Sequence, residues 1–158
     1  MRIAEAKRKE NIVEYILYMW QIESLIRAND LDLQKINEKL IQPQVKDQKE
    51  RKAYLDWYRD LILKMKAEGI EQTGHLAEIN DLMMELLYLH NMLLSTLKDN
   101  KYRQIFETAI PDIEAFQKKT KIGGLNFIET MLFGMNAQLL FRLQDKAVSD
   151  ETKASFQK

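Results

Sequence analysis

A chain of 158 residues that is 46% hydrophobic and 30% charged has the composition of one globular domain, which excludes a disordered protein. Its 24 basic residues are balanced by 24 acidic ones, so neither nucleic acid nor an anionic membrane is expected as a partner. The absence of cysteine excludes disulfides, thiolate nucleophiles and sulfur-ligated zinc, and together with the lack of a convincing signal peptide it favours the cytoplasm.

The predicted elements in the first half of the chain are all helices, because apolar residues recur there at helical spacing. The first is predicted from about residue 3 to 28, and a short second one covers 31–41 before Pro43 ends it. The third begins in the strongly charged stretch 46–52 and is closed by Gly69.

Helical spacing continues through the second half. A fourth helix begins near Leu76 and carries apolar residues up to Leu97, which makes it the clearest core helix. Residues 102–116 keep the same period around Pro111, which predicts either one kinked helix or two abutting ones.

The last predicted helix, the sixth, begins at a capping pair formed by Asn126 and Glu129 and extends to about Lys146. We therefore predict an all-α, single-domain, up-and-down bundle of five to six helices over residues 1–146, kinked or broken at the internal proline. Residues 147–158 contain almost nothing apolar and are predicted to form a short, frayed helix or a tail.

Five polar side chains interrupt the apolar faces of the first, fourth and sixth predicted helices. Advancing ~100° per residue places Glu23 in the middle of an apolar stripe with Arg27 at its border. The same arithmetic places His90 at the centre of the fourth helix's apolar face, and Gln138 and Arg142 on that of the sixth. Burying these groups unpaired would be costly, so a partner from another helix is expected for Glu23, with Arg142 or His90 as the choices.

Three interpretations of this polar cluster remain open. The side chains can form a hydrogen-bonded network that sets helix register, since buried polar groups are normally satisfied by one another. They can line a ligand pocket, where a few polar groups converge in an apolar cavity. They can also lie at the edges of the apolar faces, exposed to solvent.

No metal or cofactor is predicted. A dinuclear carboxylate bundle requires Glu-x-x-His pairs on two helices, and the chain has none. Its two histidines, His75 and His90, are fifteen residues apart on one predicted helix, and His75 is interpreted as an exposed residue at the helix start. Trp57 at the rim of the third helix's apolar face and Leu63 on its charged side are candidate contacts for a dimer or another partner.

The segment from Ile12 to Ala28, with its Tyr-Met-Trp-Gln-Ile-Glu core at residues 18–23, resembles the opening of an uncharacterised family of unknown function from Bacteroidetes. The resemblance is strongest over about the first thirty residues. It implies a bacterial cytoplasmic protein without an assigned activity, and family members somewhat longer than this chain. It implies no catalytic residue.

With no catalytic constellation in the sequence, the favoured function is a non-enzymatic helical bundle that acts through protein association, with a homodimer as one candidate assembly. The alternative is a small-molecule-binding or enzymatic bundle whose internal polar site lies between the first, fourth and sixth helices. That site would contain the five polar residues, namely Glu23, Arg27, His90, Gln138 and Arg142.

Overall fold

A computed structural model describes residues 2–120 and 124–143, in which helices joined by short connections occur and no strand does, which confirms the all-α prediction. Seven α-helices occur there rather than five to six. Their bounds are α1 Arg2–Glu10, α2 Ile12–Ala28, α3 Leu33–Ile36, α4 Gln48–Ala67, α5 Ala77–Ser95, α6 Asn100–Thr120 and α7 Phe127–Leu143. The predicted C-terminal helix or tail, residues 147–158, lies outside the described residues.

The additional helix results from a break at Asn11, so the single first helix predicted over 3–28 is wrong. Asn11 has extended backbone angles, and its side chain accepts hydrogen bonds from the backbone N–H groups of Val13 and Glu14 at 3.0 and 3.2 Å. An asparagine at this position is a good N-cap because it satisfies two donors that have no partner within the helix. Apolar periodicity passes through the break and therefore did not reveal it.

The predicted second helix is a short α3 that continues as one π-helical turn, Asn37–Ile41. α3 begins where the side chain of Asp32 accepts from the N–H groups of the first turn. Both α3 and the π-helical turn pack against α4.

α4 ends just before Gly69, the residue that the sequence predicts to close it, and the end has the form of a Schellman motif. The Ile70 N–H donates to the Met65 carbonyl at 3.0 Å, and the Gly69 N–H donates to the Lys66 carbonyl at 3.2 Å. Gly69 has a φ of +68°, a conformation that glycine adopts without steric cost. The motif turns the chain out of α4 and sets the position of residue 70, which the site described below uses.

α6 is continuous through Pro111, so the chain does not break there. α7 begins with the predicted capping pair, in which the Asn126 and Glu129 side chains each accept the other's backbone N–H at 2.9 Å. α6 and α7 pack together, and a hydrogen bond of 2.8 Å from the Gln117 side chain to the Thr130 hydroxyl joins them.

The chain divides into two compact units, and the boundary in the sequence falls between Leu82 and Met83, inside α5. The expectation of a single domain stays a prediction. In the first unit α1 packs on α2, and the core is formed mainly by buried residues of α2 and α4. These are Tyr15, Ile16, Leu17, Met19, Trp20, Ile22, Ile26, Tyr58, Leu61, Ile62 and Met65. Within the described part of the chain, no helix has the length and apolar character to cross a membrane.

Candidate functional site

Three side chains of α2 hold residues 70–76, in the loop between α4 and α5, against this helix. Trp20, Glu23 and Arg27 are spaced three and four residues apart and therefore share one helix face. Each contacts a different part of the loop. We call these residues together with His75 the loop clamp.

Glu23 is the buried charge of the loop clamp, with only 1% of the residue exposed. Its Oε2 lies 2.6 Å from His75 Nδ1, and its Oε1 accepts the backbone N–H of Leu76 at 3.0 Å. An ionised carboxylate has only acceptors and therefore places the imidazole proton on Nδ1. The sequence suggested Arg142 or His90 as the partner of Glu23, and in the structure His75 takes that place.

His75 also stacks on Trp20. The two ring centroids are 4.4 Å apart and the planes differ by 13°. The His75 side chain is 32% exposed, so it is half-buried rather than the exposed residue expected from the sequence. The Trp20 Nε1–H is shielded from solvent and has no hydrogen-bond partner among residues 2–120 and 124–143.

Arg27 binds loop carbonyls and does not pair with Glu23. Its Nε and Nη2 donate to the Ile70 carbonyl at 3.2 and 3.1 Å, and Nη2 also donates to the Gly74 carbonyl. Gly74 has a φ of +94°, and a Cβ there would lie 3.3 Å from the Ile70 side chain. Any other residue here would be strained and would displace the Ile70 side chain, so glycine favours this loop conformation.

Two carboxylates from outside α5, one on α2 and one at the C-cap of α4, cap the start of α5. Besides the bond from the Leu76 N–H to Glu23, the Ala77 N–H donates to the side chain of Glu68 at 2.7 Å. Both carboxylates lie at the positive end of the helix dipole, where negative charge is stabilising. This explains how α5 starts after Leu76, an apolar residue that cannot cap a helix itself.

His90 lies in the second unit, where only 4% of the residue is exposed. Its Nδ1 and the Tyr102 hydroxyl form a hydrogen bond of 2.7 Å, and Phe106 packs edge-on against the ring with centroids 4.5 Å apart. Burial lowers the pKa of His90 and raises the pKa of Tyr102. Both groups are therefore held in their neutral forms near pH 7.

The other residues predicted from the sequence lie apart from these groups. Gln138 is half-buried and Arg142 is exposed, both on α7. Trp57 is half-buried and packs edge-on against Tyr58, whereas Leu63 is 59% exposed. The five polar residues divide between the two units, with Glu23 and Arg27 in the first and the other three in the second.

Sequence reasoning missed His75 and Tyr102 as partners. Each partner lies on a different element from the buried group, so helical phase cannot connect the two. His75 follows α4 and is 52 residues from Glu23, and Tyr102 is on α6 whereas His90 is on α5. The helical phase of Glu23 and His90 did identify them as buried polar residues. A buried polar residue predicted from phase thus indicates that a partner exists without indicating which one.

The loop clamp has the components of an acid–base pair. A carboxylate that holds the proton of one imidazole nitrogen leaves the other nitrogen, Nε2, as an acceptor. Among the described residues, no group of three or more His, Cys, Asp or Glu side chains is arranged to hold a metal ion. The clamp's observed contacts all serve to position the loop and the start of α5.

Comparison with known proteins gives one match. A family model described as "Domain of unknown function (DUF4924)" matches residues 1–158, the whole chain. No curated protein and no solved structure matches the chain. The resemblance seen in the first helix to a family of unknown function is thereby confirmed at the level of the family.

Proposed function

The chain belongs to the DUF4924 family, and from that premise we propose that it acts through protein association, with a second copy of itself as the first partner. On the same resemblance and the absence of cysteine, we propose a bacterial, cytoplasmic protein. The proposal requires an apolar surface, and the distribution of apolar side chains within the second unit supports it.

The second unit buries few of its apolar side chains. In its described residues, the buried hydrophobic side chains are Met83, Ile113, Ile128 and Leu132. Its exposed large hydrophobic residues are Met84, Tyr88, Leu89, Leu97, Ile105, Phe133, Leu140 and Phe141. Each large apolar side chain that moves from water to an interface contributes about 1.5 to 3 kcal/mol. This imbalance is the observation that carries the proposal.

The charge of the chain is compatible with self-association. With 24 basic and 24 acidic residues, the formal net charge is zero, and two copies do not repel each other through their overall charge. Exposed apolar clusters on soluble proteins commonly mark interaction sites, whereas single exposed apolar residues are ordinary.

Multi-angle light scattering tests the proposal. The unmodified chain is expected at twice the mass of one chain, and Phe141→Asp is expected to shift it to the monomer, because a charge cannot be buried unpaired in an apolar contact. The matched variant is Leu63→Asp on α4, whose side chain is also exposed. If the unmodified chain has the mass of a monomer at all concentrations, the proposal is overturned.

The same pair of variants separates two possible interfaces. The contact suggested by the sequence, Trp57 and Leu63, predicts that Leu63→Asp releases the monomer. Leu63 has the exposed charged residues Arg59, Asp60 and Lys64 close to it along α4, an unfavourable setting for an apolar contact. We therefore place the association in the second unit.

A small-molecule site beside Trp20 is the second candidate function. Its support is the buried Trp20 Nε1–H, which has no acceptor among residues 2–120 and 124–143. Leaving such a donor unpaired costs about 1 to 3 kcal/mol, and an oxygen atom of a small carboxylate or phosphate ligand would satisfy it. The His75 ring, stacked on Trp20 with centroids 4.4 Å apart, is the neighbouring polar side chain of this site.

Tryptophan fluorescence tests this second candidate. The chain has two tryptophans, so Trp57→Phe leaves Trp20 as the only source of tryptophan emission. Titration with acetate and with inorganic phosphate should produce a saturable change that His75→Ala abolishes. A response that does not saturate, or one that is unchanged in His75→Ala, would eliminate the ligand site.

A further inference from the structure

Four aromatic side chains gather on α2 and α4, outside the loop clamp. α4 contributes Tyr54, Trp57 and Tyr58, whose spacing of three and four residues places them on one side of the helix. Trp57 and Tyr58 meet edge-on, with ring centroids 5.0 Å apart and planes inclined by 70°. α2 contributes Tyr18, whose phenol is close enough to that of Tyr58 to act on it electrostatically. These four residues are called the aromatic cluster below.

The hydroxyl groups of the aromatic cluster are within reach of solvent, although its rings are largely covered. Tyr58 is only 7% exposed, and the other three residues are half-buried. Within residues 2–120 and 124–143, none of the three hydroxyls is hydrogen-bonded to another side chain or to the backbone. None of them is shut off from solvent without a partner either, as the Trp20 Nε1–H is. Each hydroxyl therefore lies where water, and so a small ligand, reaches it.

The phenols of the aromatic cluster that show a shifted pKa are uncharged near pH 7. Burial raises the pKa of Tyr58 to about 12, and the phenols of Tyr18 and Tyr54 add to the increase. Burial also raises the pKa of Tyr18, with a further increase from Tyr54. The ionisable neighbours that act on Tyr58 and Tyr18 are thus other phenols rather than a lysine, an arginine or a carboxylate. The cluster therefore offers a ligand aromatic rings and neutral hydroxyls.

These properties select the chemical class of the ligand. An anion would need a cationic partner to offset its loss of water, and no cation acts on the phenols of Tyr18 and Tyr58. A neutral polar molecule would exchange hydrogen bonds with water for equivalent ones with the hydroxyls. A cation is attracted by the negative faces of several rings at once, most strongly by tryptophan. If its nitrogen is fully alkylated, the cation needs no hydrogen-bond partner.

We propose that the aromatic cluster of α2 and α4 binds a quaternary ammonium cation of the trimethylammonium type. The methyl groups of such a cation contact ring faces directly, and the cation loses its water more readily than the strongly hydrated primary ammonium of a lysine. All four residues belong to the first unit, whereas the association proposed above involves the second. The two proposals therefore rest on different observations.

Isothermal titration calorimetry with choline and with 3,3-dimethylbutan-1-ol tests the proposal. The alcohol has the shape of choline but carries carbon in place of the charged nitrogen. Choline should bind about tenfold more tightly, because only its charge is attracted by the ring faces. Absence of choline binding, equal affinity for the two compounds, or binding of acetate in place of choline would each overturn the proposal.

Variants of Trp57 assign the binding to the aromatic cluster. Trp57→Leu should weaken choline binding about tenfold, and Trp57→Phe, which keeps a ring, should weaken it less. His75→Ala, in the loop clamp, is the control and should bind choline like the unmodified chain. Circular dichroism checks the helix content of every variant, and Tyr54→Leu makes the same test on another half-buried ring if Trp57→Leu does not fold. Unchanged affinity after removal of the ring would contradict binding at this cluster.

Discussion

At the scale of single residues, the Glu23 carboxylate is buried because two donors meet its two oxygens. Oε2 is hydrogen-bonded to His75 Nδ1, and Oε1 accepts the backbone N–H of Leu76. Removing a carboxylate from water costs several kcal/mol, so these bonds offset a penalty before they contribute any net stability. The main role of Glu23 is therefore to fix the position of the loop, and its net contribution to stability is secondary.

Glu23→Ala should destabilise the protein by about 2 to 4 kcal/mol, because it leaves the buried Leu76 N–H without an acceptor and His75 without its partner. The partial exposure of His75 lets water compensate it and keeps the cost below that of a fully buried pair. Glu23→Gln retains an acceptor and should cost less. Urea unfolding monitored by circular dichroism measures both values.

Glu14→Ala is the matched control on the same helix. Glu14 forms an ion pair of 2.8 Å with Lys7, and its side chain is 57% exposed, so the loss should stay below about 1 kcal/mol. Equal losses for Glu14→Ala and Glu23→Ala would contradict the structural importance assigned to the buried carboxylate.

His90 predicts a pH dependence of stability. Burial lowers its pKa in the folded protein below the value of 6.5 expected for an unfolded chain, so the unfolded state binds more protons between those two values. The stability due to neutral His90 is present above pH ~6.5 and is lost as the pH falls through that window. Tyr102 and Phe106, which contact the ring, carry no charge to offset this.

His90→Gln should flatten this part of the pH profile. Unfolding free energies from urea titrations between pH 5 and 8, for the unmodified chain and the variant, give the difference. All other groups are the same in the two proteins, so their contributions cancel in the difference. Parallel profiles for the two proteins would show that His90 does not gain a proton on unfolding.

At the scale of elements, the short connection between α5 and α6 contains a residue in an unfavourable backbone conformation. Lys98 is exposed and has a φ of +50°, in the left-handed region that costs an L-residue roughly 1 to 2 kcal/mol. Lys98→Gly should therefore raise the unfolding free energy by about 1 kcal/mol.

Lys52→Gly provides the opposite control. Lys52 is exposed in the interior of α4, where glycine costs about 1 kcal/mol relative to a good helix former. Thermal unfolding of the two variants should shift in opposite directions. A shift of the same sign in both would indicate that the strain at Lys98 is absent in solution.

At the scale of the whole molecule, self-association should make thermal stability depend on concentration. Binding of a second copy to the folded state alone raises the apparent Tm as the protein concentration rises. Scanning calorimetry over a hundred-fold range of concentration should detect this increase. Phe141→Asp should remove it, and Leu63→Asp should retain it.

Sequence patterns predict the local features of this fold. Features that depend on residues within one or two turns were predictable, such as the cap formed by Asn126 and Glu129 and the helix end at Gly69. Asn11 carried a local signal as well, but apolar periodicity on both sides of it concealed the break.

By itself, the sequence determined the helical class, several helix ends and the burial of Glu23 and His90, because helical phase and capping are local properties. Only the tertiary structure decided that Glu23 meets His75 and that Arg27 binds the carbonyl of Ile70, 43 residues away. Phase shows which side of a helix is apolar, but it carries no information about which other segment packs there. That choice depends on how whole helices and loops fit together in space.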